Sequence, residues 1–176
     1  MKNIARAIAF SSVLTVAAIA GCSTTSGTGP NISHSGFDDA RVVTINGHSN
    51  ACQTMLCTGL GAQWKSNNPT EAILVVYIFN DIKGITGAKL NIDGKTYDLS
   101  IMQTFTNFNE FGAATKESRK GFLVPLELVR KITASQRTWL RVQTTAGNIE
   151  NGVIDRQTDS KAYHALKRFL TAVDQG

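Results

Sequence analysis

Three cysteines, three histidines and one tryptophan–arginine pair are the side chains in this 176-residue chain best suited to chemistry. Cys52 and Cys57 are separated by four residues, not by the two of a thioredoxin-type redox motif. A zinc site needs four ligands, and no second Cys or His pair completes them. His34, His48 and His164 are scattered, and none is accompanied by a nucleophile elbow built on Ser or Cys. Phosphate loops, dinucleotide fingerprints and EF-hand loops are absent from the sequence. The residues therefore name no catalytic group and no metal site, and the expectation leans away from an enzyme.

Binding is the chemistry with better candidates. Phe105, Phe108 and Phe111 recur at a spacing of three in a stretch rich in Asn, Thr and Gly. Exposed, they would form an apolar partner site; buried, they would close one end of a sandwich core. Trp139 and Arg141 are two apart in a β-type segment, so they share a face. Both types are enriched in binding hot spots. The alternative has Trp139 packed under a helix and Arg141 capping its carbonyls.

The N-terminus supplies an address. Lys2 and Arg6 precede an uncharged run from Ala7 to Ala20. As a helix, that run would cover roughly 21 Å, short of the ~30 Å hydrocarbon core. A charged start, a short apolar run and a small-residue exit define a secretory leader. The run closes on Ile19-Ala20-Gly21-Cys22, which resembles the lipobox of bacterial lipoproteins. That resemblance covers residues 1 to about 30 and implies cleavage before Cys22. It also implies diacylglycerol on the Cys22 sulfur and a further acyl chain, such as palmitate, on its new amino group. No other cofactor is expected. Each buried CH₂ contributes about 0.8 kcal/mol, and two chains already anchor stably. Ser23 stands where an Asp would hold the protein at the inner membrane, so the resemblance implies an outer-membrane location with the body in the periplasm. Residues 22–36 are rich in Ser, Thr and Gly and read as a flexible tether of roughly 20 Å reach.

The leader changes two further readings. With Cys22 lipidated, Cys52 and Cys57 remain as a pair in an oxidising compartment, where a disulfide is expected. Closing so short a loop stabilises by about 2 kcal/mol. The whole chain has 18 Lys+Arg and 13 Asp+Glu, net +5; losing Lys2 and Arg6 lowers this to +3. The densest basic run, Lys116-Glu117-Ser118-Arg119-Lys120, is interrupted by an acid and reads as a solvated loop. No nucleic-acid partner is expected.

These residues must be held by a body spanning 37–176. Arg41 to Asn46 reads as a first strand. Glu71 to Asn80 is apolar on both faces and should be a central strand covered on both sides. Asp93-Gly94 is a two-residue hairpin signal between Ala88–Ile92 and Lys95–Ile101. Its register sets Lys89 opposite Asp98, a pair contributing at most about 1 kcal/mol. Gly121 to Pro125 forms a short strand, and Leu126 to Ala134 a short helix. Thr138–Thr145 and Ile149–Ile154 form a second hairpin around Ala146-Gly147-Asn148. A C-terminal helix, capped by Asp159 or Ser160, carries the stripe Ala162, Leu166, Phe169, Leu170 and Val173. That stripe is expected to cover the second apolar face of the central strand. The unit of Val124-Pro125-Leu126 and this stripe resembles, in layout, periplasmic proteins of the invasion-associated-locus-B type. No function is carried over from that likeness.

The expected architecture is a single α+β domain: an antiparallel sheet or sandwich of about seven strands with one short and one C-terminal amphipathic helix. The expected function is that of a lipid-anchored outer-membrane lipoprotein. It would bind, without catalysis, another envelope protein or polymer. The alternatives are an envelope hydrolase or transferase, and a carrier of a small apolar ligand.

Overall fold

The computed structural model describes residues 27–101, 107–111 and 115–176. The expected leader, Cys22 and Phe105 lie outside the described residues. Twelve strands and two helices are described: β1 (Asn31–His34), β2 (Arg41–Ser49), β3 (Cys57–Lys65), β4 (Glu71–Phe79), β5 (Ile85–Ile92), β6 (Lys95–Asp98), β7 (Ser100–Ile101), β8 (Asn107–Phe111), β9 (Thr115–Pro125), α1 (Leu126–Ala134), β10 (Arg137–Thr144), β11 (Gly147–Asp155), β12 (Thr158–Asp159) and α2 (Lys161–Asp174). Their pairings are antiparallel. One sheet of seven strands runs β1-β2-β3-β4-β9-β7, with β8 also pairing to β9; the second, of five, runs β12-β11-β10-β5-β6. The α+β sandwich expected from the sequence is present. The strands exceed seven because four of them are short edge or corner pieces of two to four residues.

The β5–β6 hairpin follows its turn chemistry. Asp93 and Gly94 have φ of 47° and 89°, the left-handed pair that a type I′ turn demands. The register sets Lys89 opposite Asp98 and Leu90 opposite Tyr97, and the Lys89–Asp98 ion pair closes at 2.6 Å. The chain then leaves this sheet: Leu99 donates its N–H to the Ala88 carbonyl at 3.0 Å, while β7 pairs with β9 in the other sheet. The second hairpin turns on Thr145-Ala146, one residue earlier than expected, with Thr144 opposite Gly147. The Thr144 hydroxyl fixes this tighter turn by donating to the Gly147 carbonyl at 2.7 Å and accepting from the Ala146 N–H at 3.1 Å.

The core lies between the sheets. β4 is central in the larger sheet, and Ala72, Leu74, Val76 and Ile78 are buried on its inner side. α2 buries its stripe, together with Ala165 and Ala172, in the same core. α2 packs mainly on β2 and β3, whereas α1 packs on α2, β4 and β9. The Ser160 hydroxyl caps α2 by accepting the Tyr163 N–H at 3.1 Å, and Arg41 donates to the Ala172 carbonyl at 2.7 Å near its end. Arg130 of α1 holds Asp174 of α2 through two bonds of 3.0 and 2.5 Å.

Three expectations need correction. α2 does not cover the second face of β4; it joins the first. On the opposite side Ile73, Val75 and Phe79 are half-buried and Tyr77 is buried. This side is sheltered from within its own sheet: side chains added at Gly47 or Gly59 would collide with the rings of Tyr77 or Phe79. Those two rings stack at 5.5 Å and lie over bare backbone. Second, residues 31–34 are not part of a free tether. They form β1, paired with β2 from Asn31↔Thr44 to His34↔Arg41. All four are exposed, so backbone pairing alone recruits them. Third, Lys116 to Lys120 is not a solvated loop. It is the first half of β9, in which Ser118 and Lys120 face inward and are buried. The Ser118 hydroxyl accepts the Lys83 N–H at 2.9 Å, and the Lys120 ammonium donates to the Ile85 carbonyl at 2.9 Å.

Candidate functional site

The five-stranded sheet turns one face to the core and the other outward, and the outer face gathers the polar side chains. On β10, Thr138, Leu140 and Val142 are buried inward, so Trp139 and Arg141 both point out, as their spacing requires. Rows of directly opposed residues cross the strands. One runs Glu150, Arg141, Lys89, Asp98. The next runs Gly152, Trp139, Asn91, Thr96. In the first row the two cations are central, and each is matched with an outer acid: Arg141 with Glu150 and Lys89 with Asp98, both at 2.6 Å.

A bulge aims the indole. The β10–β11 register shifts between Thr138 and Trp139, so Ile154 faces Thr138 while Gly152 faces Trp139. Bulges turn side chains in this way. Gly152 then gives the indole a place to rest: a Cβ there would sit 3.7 Å from the ring. The ring nitrogen donates to Asp155 at 3.0 Å. Arg137 lies 5.8 Å from the ring centroid and 3.4 Å from the same carboxylate. The indole is thus half-buried and fixed at its polar end.

The remaining wall comes from the loop before β3. Cys52 and Cys57 form a disulfide with Cα atoms 5.4 Å apart, which bends Gln53–Leu56 back beside β11. Asn80 holds its tip by donating to the Met55 carbonyl at 2.7 Å. Beneath the loop a buried polar bridge joins the sheets. Asn151 of β11 accepts from the Thr58 N–H at 2.9 Å and the Thr58 hydroxyl at 2.8 Å, and Asn50 donates to that hydroxyl at 2.9 Å. Three open recesses meet at Trp139. One of about 280 Å³ includes Gln53, Thr54 and Asn148. One of about 360 Å³ includes Cys52, Asp155 and Thr158. A smaller one of about 90 Å³ includes Lys89, Asn91 and Arg141.

Trp139 is therefore not packed under a helix, and Arg141 caps no helix. Of the three phenylalanines, Phe105 lies outside the described residues. Phe108 and Phe111 belong to β8, in the other sheet, paired opposite Ser118 and Thr115. Sequence reasoning missed Gln53, Thr54, Glu150 and Asp155. The disulfide spacing signalled a turn there, but nothing local placed that turn against β11. The histidines stay apart. His48 is buried in β2, where its Nδ1 meets the Asn46 carbonyl at 2.8 Å; His164 meets Asp159 at 2.8 Å on α2. Among the described residues, no three of His, Cys, Asp and Glu gather as a metal site. No family model, curated protein or solved structure matches this chain.

Proposed function

We propose that this chain is a lipid-anchored outer-membrane lipoprotein whose body, in the periplasm, binds another envelope component through the Trp139 face without catalysing a reaction. The anchor half rests on Ile19-Ala20-Gly21-Cys22 behind its basic and apolar leader. The binding half is carried by one observation: three recesses converge on an outward, half-buried tryptophan held by Asp155. Aromatic anchors in partly desolvated recesses are the commonest source of binding energy at interfaces. Because the Thr28 carbonyl accepts from Arg168 at 3.3 Å and β1 takes up residues 31–34, the span from the anchor is residues 23–27, a reach of about 12 Å as a flexible chain. The partner then lies close to the membrane surface. The carrier alternative would need a closed apolar cavity, whereas the recesses at Trp139 are open; the hydrolase alternative would need an acid and a base free to act, whereas the charged groups lining the recesses are held in ion pairs.

Two measurements test this reading. Cys22→Ala should abolish incorporation of labelled palmitate; unchanged labelling removes the anchor. A form secreted behind a leader that is cleaved without lipidation should still sediment with the cell envelope, and Trp139→Ala should release most of it. Sedimentation that does not depend on Trp139 removes the binding face.

A further inference from the structure

The geometry points to an uncharged oligosaccharide strand as the ligand of the Trp139 face, an inference that rests on the binding reading above. Three features of the face narrow the chemistry.

Backbone recognition is closed off. β10 is hydrogen-bonded on both edges, to β11 and to β5, so a peptide cannot add to it as a further strand. Recognition must go through side chains.

Charge selection is also closed off. The charged residues lining the three recesses are Lys89 and Arg141 against Glu150 and Asp155. Each is matched on the protein: Lys89 with Asp98, Arg141 with Glu150, and Asp155 with Arg137 and the indole. A polyanion gains from releasing counterions to unmatched cations, and this face has none to offer at its recesses. A cationic ligand meets the same balance.

What remains is a half-buried indole, with Gly152 beside it and the Arg137 guanidinium 5.8 Å from its centroid, ringed by hydrogen-bonding groups. Gln53 and Asn148 each present a donor and an acceptor on one amide, whereas the Asn91 amide is turned to its own hairpin, accepting from the Gly94 N–H at 3.1 Å. Glu150 and Asp155 add acceptors, and Arg141 adds donors. A pyranose ring has an apolar C–H face and a rim of hydroxyls, each both donor and acceptor. The indole suits the first and the amides suit the second. The recesses meet at one residue and lead away in different directions across the strands, which fits several linked sugars better than one.

The experiment uses the full chain in mild detergent on an array of defined oligosaccharides. The array holds uncharged β-1,4-linked N-acetylglucosamine oligomers and other neutral sugars beside phosphorylated and uronate-bearing ones. Saturable binding to neutral members is expected, weakened about tenfold or more by Trp139→Ala. Glu150→Gln removes a charge from an exposed position and should also weaken it, which guards against a folding defect in the tryptophan variant. Binding only to charged sugars, binding to none, or binding untouched by both variants overturns the inference. If sugars fail while envelope sedimentation still depends on Trp139, the ligand class is wrong and the site stands. If both fail, the binding face itself is wrong.

Discussion

Asn151 is a buried hydrogen-bonding link between the two sheets beneath the site, beside the backbone hydrogen bond from the Ala51 N–H to the Gly152 carbonyl. The Asn151 amide oxygen accepts two bonds from Thr58 in a buried setting. Removing one partner of a buried hydrogen bond costs the desolvation of whatever is left unpaired, about 1–3 kcal/mol per group. Asn151→Ala strands the N–H and hydroxyl of Thr58. It should therefore lower the unfolding free energy by about 2 kcal/mol or more. Urea denaturation reads this as a lower midpoint at unchanged slope. A loss below about 0.5 kcal/mol would mean that water replaces the amide and that the bridge holds nothing in register. Sequence could not single out this residue. Asparagine in Ile149–Ile154 looks like any polar strand position, and its partner is 93 residues away.

At the scale of elements, what was legible is what short-range chemistry dictates. The β5–β6 hairpin was readable because Asp93-Gly94, the apolar alternation and the Lys89–Asp98 pair each demanded one register. α1 spans the expected residues, Leu126–Ala134, because Pro125 ends β9 and apolar residues then recur at helical spacing. The first half of β9 was illegible: its inward positions are Ser118 and Lys120, which carry no hydrophobic alternation. They are tolerated there only because carbonyl and amide partners from the β4–β5 connection and β5 meet them. The α1–α2 contact was invisible for a related reason, since Arg130 and Asp174 are 44 residues apart. The hydrogen bond from Arg130 holds the Asp174 carboxyl below its usual value of 3.8, and the charge on Arg130 acts in the same direction. A carboxyl depressed by folding contributes stability above its unfolded pKa and loses it as pH falls through the folded value. This contribution should accordingly fade below about pH 4. Asp174 is half-exposed, so solvent screening keeps the effect small. Asp174→Asn should flatten the acid limb of the urea midpoint against pH relative to the native chain. Parallel acid limbs would show that the pair is not coupled to folding.

For the whole molecule, the consequential finding is sidedness. The strand apolar on both faces predicted two covering layers, yet among the described residues the larger sheet packs its core on one side. Its other side is sheltered by its own aromatic rings lying over Gly47 and Gly59. Neighbours on β9 should report this directly. Phe122 is fully buried and Leu123 is 39% exposed. Phe122→Ala should cost about 3–5 kcal/mol through lost transfer energy and the cavity left behind. Leu123→Lys should stay within about 0.5 kcal/mol, as surface changes do. Similar losses at both positions would show that the outer side is covered after all.

The place where the chain enters its fold has a mechanical meaning. β1 is the first strand among the described residues, and it is held by backbone pairing with β2, with every side chain exposed. A pull from that side therefore loads the hydrogen bond from Arg168 to the Thr28 carbonyl and then four residue pairs at a sheet edge before it reaches the buried Ala40. Those pairs yield first, and the freed segment from Asn31 to Ala40 extends by roughly 35 Å at about 3.3–3.6 Å per residue. The sandwich, its disulfide loop and the Trp139 face stay unloaded until that length is drawn out. β1 is thus a strain relief, a slack drawn out before the strands behind it are loaded.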